Sequence, residues 1–347
     1  MGTIISRGGR FMTLVLVVAA IAILIAALCP RPADAAAHRF FIEKEQAYNG
    51  MLRSDIPPVL TVRSGDTVVF NTVMLMGGAL SPHMTFDEMF AVRTRMRDQG
   101  LGTYAFTGPF FVEGAEPGDA LQVDILRIRP GEYAVTHIYP DSVGMGGLPE
   151  GFEKGWLKPL RLSEDRWTIE YAPGIVLPVR PFLGTMAVAP RPGEVLPPAV
   201  PGYFAGNMDN KEFVAGTTLF IPVNVPGALF MAADGHALQG DGEVSIAAAE
   251  TYFEEVELRF TVRKGMKLRL PRGETPTHWM VMAFHKDLDE AMKGAIREAI
   301  DFLMTEKGLS REEPYALCSL AVDFRVTQVV DGDKGIHAMI PKGIFGE

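Results

Sequence analysis

The sequence predicts a mainly β fold, a sandwich or barrel-like core, with an α+β segment at the C-terminus. Three observations lead there. From His38 to about Arg272, short alternating or β-branched runs such as Val59-Leu-Thr-Val-Arg63, Thr67-Val-Val-Phe70 and Leu121-Gln-Val-Asp-Ile-Leu126 are separated by Gly, Pro and Asp. That is the pattern of half-buried strands punctuated by turns. A turn-then-strand rhyme recurs at Ser64-Gly65-Asp66, Pro117-Gly118-Asp119 and Lys264-Gly265, each placing Gly where a turn needs φ > 0. After residue 272 the pattern changes. His278-Trp-Met-Val-Met-Ala-Phe284 reads as a strand, and Leu288, Ala291, Met292, Ala295, Ile296, Ala299, Ile300 and Leu303 then recur at three and four residues.

Taken in order, the chain opens with Arg7 and Arg10 ahead of an apolar run, Phe11 to Leu28, and then Ala33-Asp34-Ala35-Ala36-Ala37. A positive region, an apolar region and small residues make an export signal, expected over residues 1–37 with cleavage near Ala35 or Ala37. An uncleaved anchor is the alternative, because the run just reaches bilayer length. The protein is accordingly expected to be exported, periplasmic or secreted. The β-rich core is expected over 38–272. In the segment 273–347, Asp287 is placed to cap the amphipathic helix, Ser310-Arg-Glu-Glu313 matches a capping box with Pro314 in the first turn, and Val322 to Val330 reads as a further strand.

Composition narrows the function. With 33 Lys and Arg against 42 Asp and Glu, the net charge is −9 and no basic block is present. That argues against nucleic acid or an anionic membrane surface as the main partner. Loss of 1–37 leaves Cys318 as the one cysteine, so no internal disulfide forms, and its apolar surroundings suit a buried small hydrophobe.

Three polar clusters carry the chemistry. Asp234, His236, Gln239, Asp241 and Glu243 fall within ten residues interleaved with glycines. Oxygen and imidazole donors spaced by two share one face of an extended segment, which suits a divalent metal, although Gly-Asp-Gly is equally the chemistry of a tight hairpin. Asn207 and Asp209 repeat the spacing ahead of another strand, where a plain loop is the alternative. Glu113 ends an apolar strand beside Gly114, a place for a partly desolvated base. His83 and His137 read as loop residues and His337 as part of a turn. No Gly-x-Ser-x-Gly elbow is present.

Together these clusters resemble the acetamidase/formamidase family. The residues that carry the resemblance are Ser64-Gly-Asp-Thr67, Gly108-Pro109, Val112-Glu-Gly-Ala-Glu-Pro-Gly-Asp119, Gly184-Thr-Met186, Gly206-Asn-Met-Asp209, Pro226-Gly-Ala-Leu-Phe230, Asp234-Gly-His-Ala237 to Gln239-Gly-Asp-Gly-Glu243, and Gln328-Val-Val-Asp331. They span most of 38–345 in the same order. Departures are Ala205 and Phe182, where members often have Gly and some have His, a missing His in Thr103-Tyr-Ala-Phe-Thr107, and the Met-rich stretch Met74–Asp98, expected to line the pocket mouth.

The resemblance implies metal-dependent hydrolysis of a short amide such as formamide or acetamide to carboxylate and ammonia. It carries over Glu113, Asn207, Asp209, Asp234, His236, Gln239, Asp241 and Glu243, of which Asp209, Asp234, His236 and Asp241 are expected to hold a divalent metal, zinc first and calcium second. Proton transfer is expected of Glu113 or Glu243, and binding of the amide of Asn207 or Gln239. The expected partners are the small amide and a second copy of the chain in a dimer, with no nucleic acid and no stable membrane partner once the signal is removed. A small-ligand or metal-binding protein on the same fold is the second reading.

Overall fold

The computed structural model describes residues 35–346; the expected export signal lies outside these residues except for its last three. Residues Ala36–Glu347 make one compact unit. Its spine is an antiparallel pair of long strands, Ala120–Ile138 and Glu250–Arg263, registered from Glu250 opposite Val135 to Arg263 opposite Ala120. Leu121, Val123, Ile125, Val256, Leu258 and Phe260 are buried along it, the alternation that the sequence advertises.

Neither strand runs straight. Pairing slips at Thr251/Phe253, Phe253/Glu255 and Glu257/Leu258, and each bulge adds bend and twist. Gly131 sits in the bend because a Cβ there would overlap the Tyr252 ring. Bent strands change partners along their length. Thr67–Phe70 pairs with residues 256–259 and Phe230–His236 with 250–251, while Thr218–Pro222 takes residues 120–124 and Trp156–Arg161 takes 133–138. The sheet therefore curls around a core where Phe70, Phe110, Phe230 and Phe260 meet, with ring centroids 4.9 Å apart for Phe230–Phe260 and 5.5 Å for Phe70–Phe110. The fold is mainly β, as its periodicity predicts.

The three rhymed glycines all have positive φ, at 100°, 96° and 70° for Gly65, Gly118 and Gly265. Two of these turns lock together: the Asp119 carboxylate accepts from Lys264 Nζ at 2.7 Å and from Gly265 N at 3.0 Å.

The C-terminal segment is built into the sheet. Arg272–Glu274 pairs with residues 218–220, and His278–His285, Lys334–Pro341 and Asp323–Gln328 follow in turn. Three α-helices lie outside the sheet among the described residues: α1 (Phe86–Asp98), α2 (Leu288–Lys307) and α3 (Glu312–Ala321). Asp287 caps α2 through Glu290 N at 3.0 Å, and Ala291, Ala295, Ala299 and Leu303 are buried beneath it. Of the expected capping box only one half forms: Glu313 accepts from Ser310 N at 2.8 Å and from Ser310 Oγ at 2.9 Å, while the helix begins one residue later, with Arg311 at the N-cap and no side chain capping it. Helix α1 is not anticipated by the sequence reading, though its own capping box, Thr85 with Glu88, was available as a signal. The histidine placements need correction: His137 lies within the 120–138 strand and His337 within the 334–341 strand, both buried.

Candidate functional site

Strand Phe230–His236 is buried at every position, held between Phe182–Ala187 on one edge and residues 250–251 on the other. It ends with Asp234 and His236, two residues apart and converging on one pocket. Three acids of the site stand in the left-handed region, Asp209 at φ 48°, Asp234 at 64° and Glu243 at 43°. Such backbone costs about 1–3 kcal/mol per residue and persists only where its surroundings dictate it.

Those surroundings are visible. Gly184 O accepts from both Met208 N and Asp209 N at 3.1 Å. A Cβ on Gly184 would drive into the Asp209 and Asp234 carboxylates and come within 2.8 Å of His236 Cε1, so the site is laid over a glycine because no side chain fits beneath it. Gly242 bonds to Thr327 O at 3.0 Å and accepts from Val329 N at 3.1 Å, which ties the Glu243 turn to the C-terminal strand. There Gln328 Oε1 accepts from Val330 N and Asp331 N, at 2.8 and 3.2 Å, and shapes the turn that delivers Asp331.

His236 is the hub. Gln239 Nε2 donates to Asp209 O at 2.8 Å, which turns its Oε1 toward His236 Nδ1 at 2.9 Å. The hydrogen-bond pattern thus places a proton on Nδ1. Nε2 then faces Asp234 Oδ1 and Glu250 Oε2, each at 3.3 Å. Glu250 is fixed in turn by Ala248 N at 2.9 Å on its other oxygen. Asn207 donates to Asp209 Oδ2 at 2.6 Å and accepts from Thr185. The Phe182 ring stands edge-on to His236, centroids 5.0 Å apart.

Asp209, Asp234, His236, Glu243, Glu250 and Asp331 therefore line one pocket. Burial first, then the Asp331 and Asp234 charges, pushes Asp209 well above the ordinary carboxylate range. Burial and then Asp209 do the same to Glu243, and burial and then Glu243 to Asp331. Glu250 is raised by burial against the pull of His236. Burial lowers His236, but the Glu250 and Asp234 carboxylates outweigh it and hold the imidazole well above its usual value. Asp209 Oδ1, Glu243 Oε2, Glu250 Oε2 and Asp331 Oδ2 are buried with no hydrogen-bond partner. Five carboxylates around one imidazole need a cation or shared protons. Two trios place ligand atoms within 4.8 Å of one another, Asp234–His236–Glu250 and Asp209–His236–Glu243. Mixed imidazole and carboxylate donors with oxygens to spare fit a divalent metal.

Not every anticipated residue arrives. Glu113 is exposed at the end of the Thr107–Glu113 strand, outside the pocket lining. Asp241 turns outward to Lys211 Nζ at 2.6 Å and does not join the cluster: it sits inside the turn that Glu243 N closes on Gly240 O at 3.2 Å, with Gly242 at φ 95°. Gln239 and Asn207 spend their amide groups on His236 and Asp209, so they orient those two side chains. Two acids were missed. Asp331 lies in the Gln328–Asp331 run whose role was not read, and Glu250 is a lone acid after three alanines at the head of a buried strand, a signal of its own. Leu75, Met76 and Arg93 line the pocket, so the Met74–Asp98 stretch does reach it.

The sequence profile of the acetamidase/formamidase family matches residues 36–196 and 193–347. The chain is 25% identical to an acetamidase of Mycolicibacterium smegmatis, over 64% of this chain and 68% of that protein. It is 22% identical to a formamidase of Methylophilus methylotrophus, over 87% and 90% of the two. The crystal structure of an acetamidase from Bacillus halodurans, 31% identical, superposes with a TM-score of 0.79 over 88% of this chain and 98% of that one.

Proposed function

The chain belongs to the acetamidase/formamidase family and is an amidase that hydrolyses an amide C–N bond, and from that premise we propose that its reaction depends on a divalent metal bound at the acidic cluster. The observation that carries the proposal is the set of four buried carboxylate oxygens without a partner around His236. Asp234, His236 Nε2 and Glu250 are the proposed ligands, with Asp209 beside them. A histidine nitrogen among carboxylates favours zinc over calcium, which takes oxygen ligands throughout. When bound, such an ion polarises the amide carbonyl and lowers the pKa of its water.

The chain's own residues supply the rest. Glu243 is buried, lines the pocket, and keeps Oε2 free of partners. A carboxyl raised by burial is suited to take a proton from water and return it to the leaving nitrogen. Gln239 holds the imidazole proton on Nδ1 and leaves Nε2 for the ion. Asn207 steadies the Asp209 carboxylate. The substrate is proposed to be a short-chain amide, released as carboxylate and ammonia.

The test is ammonia release from formamide, acetamide and propionamide with metal-quantified protein, before and after chelation. Activity is expected to vanish with the metal and return with zinc, and Glu243→Gln is expected to keep its metal while losing on the order of 10²- to 10⁴-fold in kcat. Full activity in metal-free protein sinks the metal, and wild-type kcat in Glu243→Gln sinks the proton role. Export through residues 1–37 and dimerisation are proposed on the sequence reading. N-terminal sequencing of secreted protein tests the first and sedimentation the second, with an intact Met1 or a monomer as the refuting result.

A further inference from the structure

The pocket over the acidic cluster is larger than a two-carbon amide needs. Its volume is about 270 Å³. At about 30 Å³ per water it has room for on the order of nine waters, against the two or three that formamide or acetamide displaces. Beyond the acids the lining is largely apolar or aromatic, with Leu75, Met76, Tyr104, Tyr139, Met145 and Ile246.

Two groups in that lining are unlike the rest, and both sit against Tyr139. The Arg93 guanidinium, carried on α1, lies 5.1 Å above the Tyr139 ring with Nη2 3.2 Å from the Met145 sulfur. Five carboxylates line the same pocket, yet Arg93 closes on none of them, and among the described residues it has no carboxylate partner at all. The His137 ring centroid is 5.0 Å from that of Tyr139. This histidine is only 4% exposed and its Nδ1 has no partner. Burial, then the Arg93 charge, pushes its pKa down to about 4, so near pH 7 it is a neutral ring with a donor and an acceptor to offer. A planar cationic fork and a neutral imidazole on one aromatic platform match a carboxylate better than any uncharged group.

We propose that the amide this pocket takes carries a carboxylate of its own, held by Arg93 and His137, so that the substrate class is the monoamide of a short dicarboxylic acid. The proposal rests on the amidase reading above. The apolar lining covers the methylenes between the two ends, and the amide end reaches the acidic cluster. Hydrolysis adds one water across the C–N bond: the carbonyl carbon gains the oxygen, the nitrogen leaves with one of the water's protons as ammonia, the new carboxylic acid gives up the other to the ammonia, and the products are a dicarboxylate and ammonium.

The test compares succinamate with butyramide, an uncharged amide of the same carbon number, by kcat/KM in wild type and Arg93→Gln. It is paired with calorimetric binding of both amides to metal-loaded Glu243→Gln protein. Wild type is expected to favour succinamate at least 10-fold, the scale of one charge-assisted contact. Arg93→Gln is expected to bring the ratio toward one, and His137→Gln to lower it partway. A wild-type ratio near one overturns the proposal. So does an equal loss for both amides in Arg93→Gln, which would place Arg93 in machinery common to all amides. If Arg93→Gln fails to fold, the wild-type ratio and the calorimetry still decide. If neither amide releases ammonia the amidase reading fails, and the calorimetric preference for succinamate over butyramide, present or absent, judges this proposal separately.

Discussion

His236 has both ring nitrogens committed, one to Gln239 and one to the mouth between Asp234 and Glu250. On the proposed metal reading, the amide of Gln239 serves the site by orienting His236. Gln239→Leu removes the acceptor for Nδ1–H and lets the ring turn or change tautomer. Loss of such an outer partner typically costs 10- to 100-fold in metal affinity, and competition titration against a chromophoric chelator is expected to show it; unchanged affinity would refute the role. A second residue-scale prediction concerns His337, fully buried, hydrogen-bonded to Thr327 at 2.8 Å, and pushed by burial down to a pKa of about 4 from an ordinary 6.5. The fold holds this ring neutral, so the stabilisation is complete above pH 6.5 and is lost as the pH falls toward 4. Over that window the loss is about 3 kcal/mol. Denaturant titration of His337→Leu is therefore expected to show its deficit against wild type shrinking by about that amount between pH 7 and pH 4. A deficit independent of pH would refute it.

At the scale of elements, the two long strands position the site through their bends. The slip at Thr251/Phe253 brings the head of the 250–263 strand, with Glu250, onto the end of the 230–236 strand with His236. Helix α2 supports the other end of the same sheet through a face of small residues. Ala291, Ala295 and Ala299 are fully buried, and a Cβ on Gly294 would stand 2.8 Å from that of Ala283, so helix and sheet are in close approach. Ala295→Leu overpacks this contact and is expected to cost about 1–3 kcal/mol. The urea midpoint should fall with the slope unchanged, and an unaltered midpoint would show the layer to be yielding. The periodicity of α2 was legible because its spacing alone sets which face is apolar. Helix α1 was less so, since Arg93, Arg95 and Arg97 interrupt its pattern and only Met89 and Met96 are buried.

At the scale of the molecule, the site is completed only by the whole described chain. The core residues 36–272 supply Asp209, Asp234, His236, Glu243 and Glu250, but Asp331 and the anchor for Gly242 come from beyond residue 320. A fragment of residues 36–272 would also expose the edge of Thr218–Pro222 that now pairs with residues 272–274. It is expected to lack a cooperative unfolding transition and to release no ammonia, as calorimetry and the amide assay would read. A cooperative, active fragment would show the segment 273–347 to be an accessory layer.

The sequence by itself determined the β class, the glycine turns, α2 and its cap, and the pairing of Asp234 with His236 on one strand. Each depends on spacing within a single element, where backbone geometry turns sequence separation directly into direction. Only the tertiary structure decided which carboxylates join them. Glu250 and Asp331 are brought in and Glu113 and Asp241 left out by bulges, strand register and left-handed turns that bring residues far apart in sequence to one pocket. Register is fixed by the packing of the whole sheet, so no local spacing announces it.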